Sequence, residues 1–172
     1  MSITTSQTIG PFSHEAWDWA VQASAPATLE SSAATVIVQG VIRDGDGVPI
    51  NDAMIEAWLP QGAANEAQQA IPGFRRAPSD EQGRFAFRLS IPAAPTPGEP
   101  AAWVTVFARG LVKHQFTAIF LEDGAGVDGS AVLAQVPAER RGTLIARKQA
   151  DGGYAWDIAM QGASETVFFD YT

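Results

Sequence analysis

Apolar side chains recur at every second position in short runs, and this spacing, rather than any helical one, dominates the chain. The clearest run is Phe85, Phe87, Leu89 and Ile91, which alternate with Arg84, Ala86, Arg88 and Ser90 just after the turn Asp80-Glu81-Gln82-Gly83. A strand sends successive side chains to opposite faces, so this pattern specifies a strand with one face in a core. Thr35 to Arg43 sets Val36, Val38, Gly40 and Ile42 against Ile37, Gln39 and Val41, then meets Asp44-Gly45-Asp46-Gly47, a dense reversal signal. With the next strand, Ala53 to Leu59, it reads as a hairpin or hairpin-like unit. Ala102 to Ala108 and Gln115 to Leu121 form a second pair joined across Gly110. Thr143 to Lys148, Tyr154 to Met160 and Thr166 to Phe169 follow, separated by Asp151-Gly152-Gly153 and Gly162-Ala163-Ser164, turn chemistry suited to tight reversals. Seven or more short strands with regular turns predict an all-β fold, an antiparallel β-sandwich.

Two stretches fall outside that pattern. Gln61 to Asp80 is rich in Ala, Gln, Gly and Pro without a sustained period and reads as one long loop, the kind that in a small domain carries function or meets a partner. Pro92, Pro95, Pro97 and Pro100 keep the segment between them out of any strand interior. One short helix is expected over His14 to Val21, with Ser13 as its N-cap and Glu15 in its first turn. The domain organisation is then an N-terminal arm and short helix over residues 1–34, suited to a subunit interface, and a sandwich over residues 35–172.

The charge balance removes whole classes of partner. With nineteen acidic and eleven basic residues the net charge is −8, which opposes nucleic acid and anionic membrane surfaces alike. Charged residues are only 17% of the chain against 46% hydrophobic, a surface poor enough in charge that part of it is expected to lie against a partner. The absence of cysteine rules out disulfides and thiolate metal sites. No run is long and apolar enough to cross a bilayer, and Met1-Ser2-Ile3-Thr4-Thr5 lacks the basic start of a signal peptide, so a cytoplasmic location is expected.

The candidate site residues are few. The arm Ser6-Gln7-Thr8-Ile9-Gly10-Pro11-Phe12 cannot pack as a helix or central strand, because Gly10 frees the backbone while Pro11 locks φ and donates no hydrogen bond. Such a segment suits being laid against another surface. Arg109, in Phe107-Ala108-Arg109-Gly110, is a cation at the end of an apolar strand, where burial demands an anionic partner. Together they suggest a contribution to an active site on another chain. Asp44, Asp46 and Asp52 lack the spacing and closing Glu of a calcium loop and read as turn residues. Trp58, Trp103 and Trp156 sit in strand patterns and read as core or interface anchors. Of His14, His114, Tyr154 and Tyr171, no two are spaced as a metal pair on one strand, and all four read as surface or core residues.

Val38 to Trp58, the arm, the Phe107-Ala108-Arg109-Gly110 strand end and the C-terminal runs Thr143 to Lys148 and Glu165 to Asp170 occur in an order that resembles the intradiol ring-cleaving dioxygenase family. The resemblance is to the alpha chains of its two-chain members, which cleave 3,4-dihydroxybenzoate with dioxygen to 3-carboxy-cis,cis-muconate. It implies a ferric ion bound by two tyrosines and two histidines of the partner beta chain, with the alpha chain shaping the pocket wall. Carried over, Thr8, Gly10, Pro11, Phe12 and Arg109 line that pocket, and Phe12 stands where the family has a tyrosine. The family's His-x-His strand reads Ala101-Ala102-Trp103 here, so neither ligand position holds a metal donor, and no catalytic or metal-binding residue is assigned to this chain. Two other readings of the same residues are a non-catalytic transthyretin-like binding module and an iron-free homo-oligomer.

Overall fold

The computed structural model describes residues 34–60, 66 and 71–170. The alternating run forms as expected: β4 (Arg84–Ile91) buries Phe85, Phe87 and Leu89 and exposes Arg84, Ala86 and Arg88. Each of those three side chains contributes about 1.5–3 kcal/mol relative to staying in water. The partner of β4 is β1 (Ala34–Arg43), antiparallel from Ala34↔Ile91 to Val41↔Arg84. The sheet continues through β2 (Met54–Trp58), β3 (Phe74–Pro78), β5 (Ala102–Phe107), β6 (Gln115–Leu121), β7 (Ile145–Lys148) and β8 (Tyr154–Ala155). Its order is β3-β2-β5-β6-β7-β8-β1-β4, with β9 (Ile158–Ala159) paired to β1, nine strands in all.

Several expectations are corrected here. The sheet is mixed, not antiparallel: β6 runs parallel to β7, and β1 runs parallel to β8 and β9. A parallel pair needs a crossover of a dozen or more residues. Residues 122–144 supply one between β6 and β7, through a 3₁₀ turn at Val127–Gly129, the one-turn α1 (Ala131–Ala134) and a 3₁₀ segment at Ala138–Leu144. The Ser130 hydroxyl caps α1 by accepting from the Leu133 N–H. β1 and β2 are not a hairpin, since β2 pairs with β3 and β5 and only the bridge Arg43↔Pro49 closes the Asp44-Gly45-Asp46-Gly47 turn. The stretch read as a loop from Gln61 to Asp80 contains β3. The expected strand from Thr166 to Phe169 is reduced to one bridge, Phe116↔Phe169, and the one over Tyr154 to Met160 is split into β8 and β9.

That split has a visible cause. Trp156 donates its N–H to the Gln39 carbonyl at 2.8 Å, and a Cβ on Gly40 would stand 1.7 Å from the Trp156 carbonyl oxygen. Only glycine lets the two backbones approach this closely. Trp156 itself is buried edge-on against Phe85, 6.2 Å between ring centroids, and its indole N–H donates to the Thr143 carbonyl.

One core receives side chains from all nine strands, including Ala77 of the edge strand β3 and Phe87 of the opposite edge β4. The two edges also meet directly, where the Arg75 guanidinium donates from Nε to the Arg88 carbonyl at 2.7 Å. A second cluster, built from Ala118 and Phe120 of β6 with Leu133, Val136 and Leu144 of the crossover, covers the outer face of β6. No helix among the described residues is long and apolar enough to cross a membrane.

Candidate functional site

Arg109 is brought to a specific place by strand register. The antiparallel pairing of β2 with β5 sets Met54 opposite Phe107, so the chain two residues before β2's start lies beside the chain two residues past β5's end. Asp52 and Arg109 occupy those positions, with Arg109 Nε 2.9 Å from Asp52 Oδ2. The Arg109 side chain is 65% exposed, so this pair contributes at most about 1 kcal/mol to folding. Gly110, at φ 91°, turns the chain away immediately afterwards. The reversal then carries Val112, which is 71% exposed, and Lys113, which stands 4.0 Å from Asp170. His114 is held between the rings of Phe107 and Phe116, at 5.3 and 4.5 Å between centroids. This end of the sheet therefore presents an exposed cation, an aromatic stack and an exposed apolar tip side by side.

The other end of β5 is different in kind. A cavity of about 390 Å³ opens there, between Ala101, the proline-rich segment, the loop after β6 and the starts of β1 and β8. Tyr154 lines it and donates its hydroxyl proton to Asp123 Oδ1 at 2.6 Å, while Lys148 Nζ reaches Asp123 Oδ2 at 2.5 Å. Burial and the neighbouring Asp123 carboxylate push the tyrosine up to about 12, so it stays a neutral hydroxyl at physiological pH. Hydrogen bonds from Lys148 and then from Tyr154 hold Asp123 below the usual aspartate range. β5 is about 20 Å long, so Arg109 and this cavity do not share a site.

Glu66 and Arg75 are a functional-looking pair that sequence reasoning missed. Both side chains are almost fully buried, at 0% and 4% exposure, and they form a two-pronged ion pair. Glu66 also accepts from the Gly73 N–H and the Ser90 hydroxyl, each at 2.8 Å. Burial alone would raise this carboxyl, but the bonds from Arg75, Gly73 and Ser90, with the charge of Arg75, leave it below the ordinary glutamate value. Every polar atom of the pair is occupied by the fold itself, so the role is to tie Glu66 to both sheet edges. The only hint in the sequence is a lone acid in a stretch of alanine and glutamine.

The remaining sequence assignments divide cleanly. Thr8, Gly10, Pro11 and Phe12, the expected helix over His14 to Val21, and Tyr171 lie outside the described residues. Asp44 serves its turn, with Oδ1 accepting from the Asp46 and Val48 N–H groups. Trp156 is a core residue, while Trp58 is 44% exposed and packs on Phe74 at 4.6 Å. No group of three or more His, Asp or Glu side chains converges as a metal site among the described residues. Ala101 and Trp103 offer no donor atom a ferric ion takes, and the Tyr154 hydroxyl is committed to Asp123, so the described residues do not fit an iron centre.

Comparison with known proteins gives a consistent picture. The alpha chain of protocatechuate 3,4-dioxygenase from Burkholderia cepacia is 34% identical over 190 aligned positions, which cover 97% of this chain and 96% of that one. The corresponding alpha chain from Pseudomonas putida is 29% identical, covering 98% of this chain and 96% of that one. Among solved structures, the dioxygenase domain of a dioxygenase carbohydrate-binding protein fusion from Streptomyces sp. SirexAA-E superposes with a TM-score of 0.57 at 17% identity, over 94% of this chain and 100% of that one. Wild-type catechol 1,2-dioxygenase from Acinetobacter radioresistens gives a TM-score of 0.57 at 13% identity, over 87% of this chain and 60% of that one. These two share the fold. No family model matches the chain.

Proposed function

The chain belongs to the family of protocatechuate 3,4-dioxygenase alpha chains, an intradiol ring-cleaving dioxygenase family, and on that premise we propose that it completes the substrate pocket of an iron-bearing beta chain. The assembled enzyme cleaves 3,4-dihydroxybenzoate with dioxygen to 3-carboxy-cis,cis-muconate in the cytoplasm. Its ferric ion is held by the beta chain, and this chain makes none of the bonds to it. Residues 1–34 serve as the interface arm and short helix, and residues 35–172 as the dioxygenase-like sandwich.

Within that pocket Thr8, Gly10, Pro11 and Phe12 shape the wall around the ring, and Arg109 takes the substrate carboxylate. The geometry at Arg109 supports its part: a guanidinium held by one exposed ion pair to Asp52 can exchange that carboxylate for another without disturbing the core. In a pocket closed to water such a cation favours a carboxylated diol over an uncharged one. Phe12 offers ring surface but no hydroxyl, so it positions the substrate without hydrogen-bonding toward the metal.

The observation that carries this reading is the 34% identity to the Burkholderia alpha chain along 97% of the sequence. Co-expression with a beta chain tests it. The expected result is a co-purifying, iron-containing complex that opens the ring of 3,4-dihydroxybenzoate, with no turnover by this chain alone. Two chains that never co-purify, or ferric ion and turnover in this chain by itself, would overturn it.

A further inference from the structure

The cavity beside Ala101 has a chemistry of its own. At about 390 Å³ it is well above the roughly 150 Å³ that holds a benzene ring and lies within the ordinary range for small-molecule sites. Val36, Leu59, Ile91, Pro92 and Leu121 make its walls apolar. Several of its polar hydrogens are already committed. Tyr154 gives its proton to Asp123, the Ser90 hydroxyl donates to Glu66, and the N–H groups of Ala101, Gly124 and Val127 donate to backbone carbonyls. The lone pairs of the Tyr154 hydroxyl remain available. Among the described lining residues there is no Lys, Arg or His, while Glu99 and Asp123 are both carboxylates. With the Tyr154 lone pairs open, Asp123 already paired with Lys148 and the exposed Glu99 carboxylate at the rim, the site favours a hydrogen-bond donor over an anion.

We propose that this cavity binds uncharged phenols: an aromatic ring lying against the apolar walls, with its hydroxyl donating to Tyr154 Oη. The neutral state of Tyr154 through the physiological range keeps that acceptor unchanged by pH. The inference uses only residues of this chain and stands or falls separately from the pocket role of the arm and Arg109.

The test is calorimetric titration of the full-length chain with three probes of one shape: p-cresol, toluene and 4-methylbenzoate. The expected ranking has p-cresol about five- to tenfold tighter than toluene, the worth of one good hydrogen bond, with 4-methylbenzoate weakest. Tyr154→Phe should bring p-cresol down to the level of toluene, and Ala101→Leu should weaken both by filling the space. Absence of p-cresol binding, 4-methylbenzoate binding as tightly as p-cresol, or p-cresol binding unchanged in either variant would each overturn the proposal. If Tyr154→Phe does not fold, as judged by circular dichroism, the ranking on the unaltered chain decides the chemistry and Ala101→Leu decides the location.

Discussion

Two arginine–carboxylate pairs in this molecule have the same chemistry and opposite consequences. Arg75 and Glu66 are buried together between the edge strands, with every hydrogen-bonding position filled by neighbours of the fold. Arg109 and Asp52 meet through one contact at 2.9 Å on the surface past the end of β5. A buried pair is held because neither partner can return to water alone, so breaking it is costly even where forming it yields little. An exposed pair is screened and exchangeable, which is the property a substrate-binding cation needs. Burial, not residue type, separates the structural arginine from the one free to act.

The sharpest way to break this contrast is Glu66→Ala. Leaving Arg75 buried without its carboxylate should cost about 3–5 kcal/mol in urea unfolding. A loss below ~1 kcal/mol would mean that water replaces the carboxylate and that the two pairs are alike after all. Replacing both partners together, Glu66→Leu with Arg75→Met, should cost clearly less than Glu66→Ala alone, because no charge is left stranded.

Acid should single out the buried pair next. Glu66 is held below its ordinary value of 4.5, so its ionised form adds stability above that value, and this contribution disappears as pH falls through the lower folded value. Unfolding midpoints measured from neutral to acid pH should therefore drop more steeply in the unaltered chain than in Glu66→Gln. Parallel profiles would remove Glu66 from the account.

Arg109→Ala should have the smallest effect on folding, within about 0.5 kcal/mol, because the pair it breaks is two-thirds solvent-exposed on the arginine side. In the complex with a beta chain the same substitution should raise KM for 3,4-dihydroxybenzoate by roughly tenfold, about 1.4 kcal/mol of lost recognition, with a smaller change for uncharged catechol. Equal effects on both substrates would show that the guanidinium does not read the carboxylate.

Individual residues show where legibility began and ended. The alternation from Arg84 to Ile91 and the pairing of β5 with β6 were readable because period and a nearby turn are both local. β3 was not, since Phe74-Arg75-Arg76-Ala77-Pro78 puts a charge on the core-facing side and ends in proline, which defeats an apolar-alternation reading. Its inward arginine makes sense only with Glu66 beneath it. The Asp44-Gly45-Asp46-Gly47 turn was read as a turn, yet the strands flanking it do not pair, because a reversal does not name a partner. For the candidate site, the sequence pointed to Arg109 but not to Asp52, and it treated Tyr154 as a late strand residue with no hint of Asp123.

What this chain carried in its letters was local: which segments extend, where the backbone must turn, and that Ala101 and Trp103 bring no metal donor to the start of β5. Which strands lie side by side, which acid meets which arginine, and that an acceptor-lined cavity opens beside Ala101 were decided by closure of the whole sheet. The physical reason is that backbone conformation responds to a few neighbouring residues, whereas the energy of a charge or a cavity depends on distances and burial that only the assembled fold establishes.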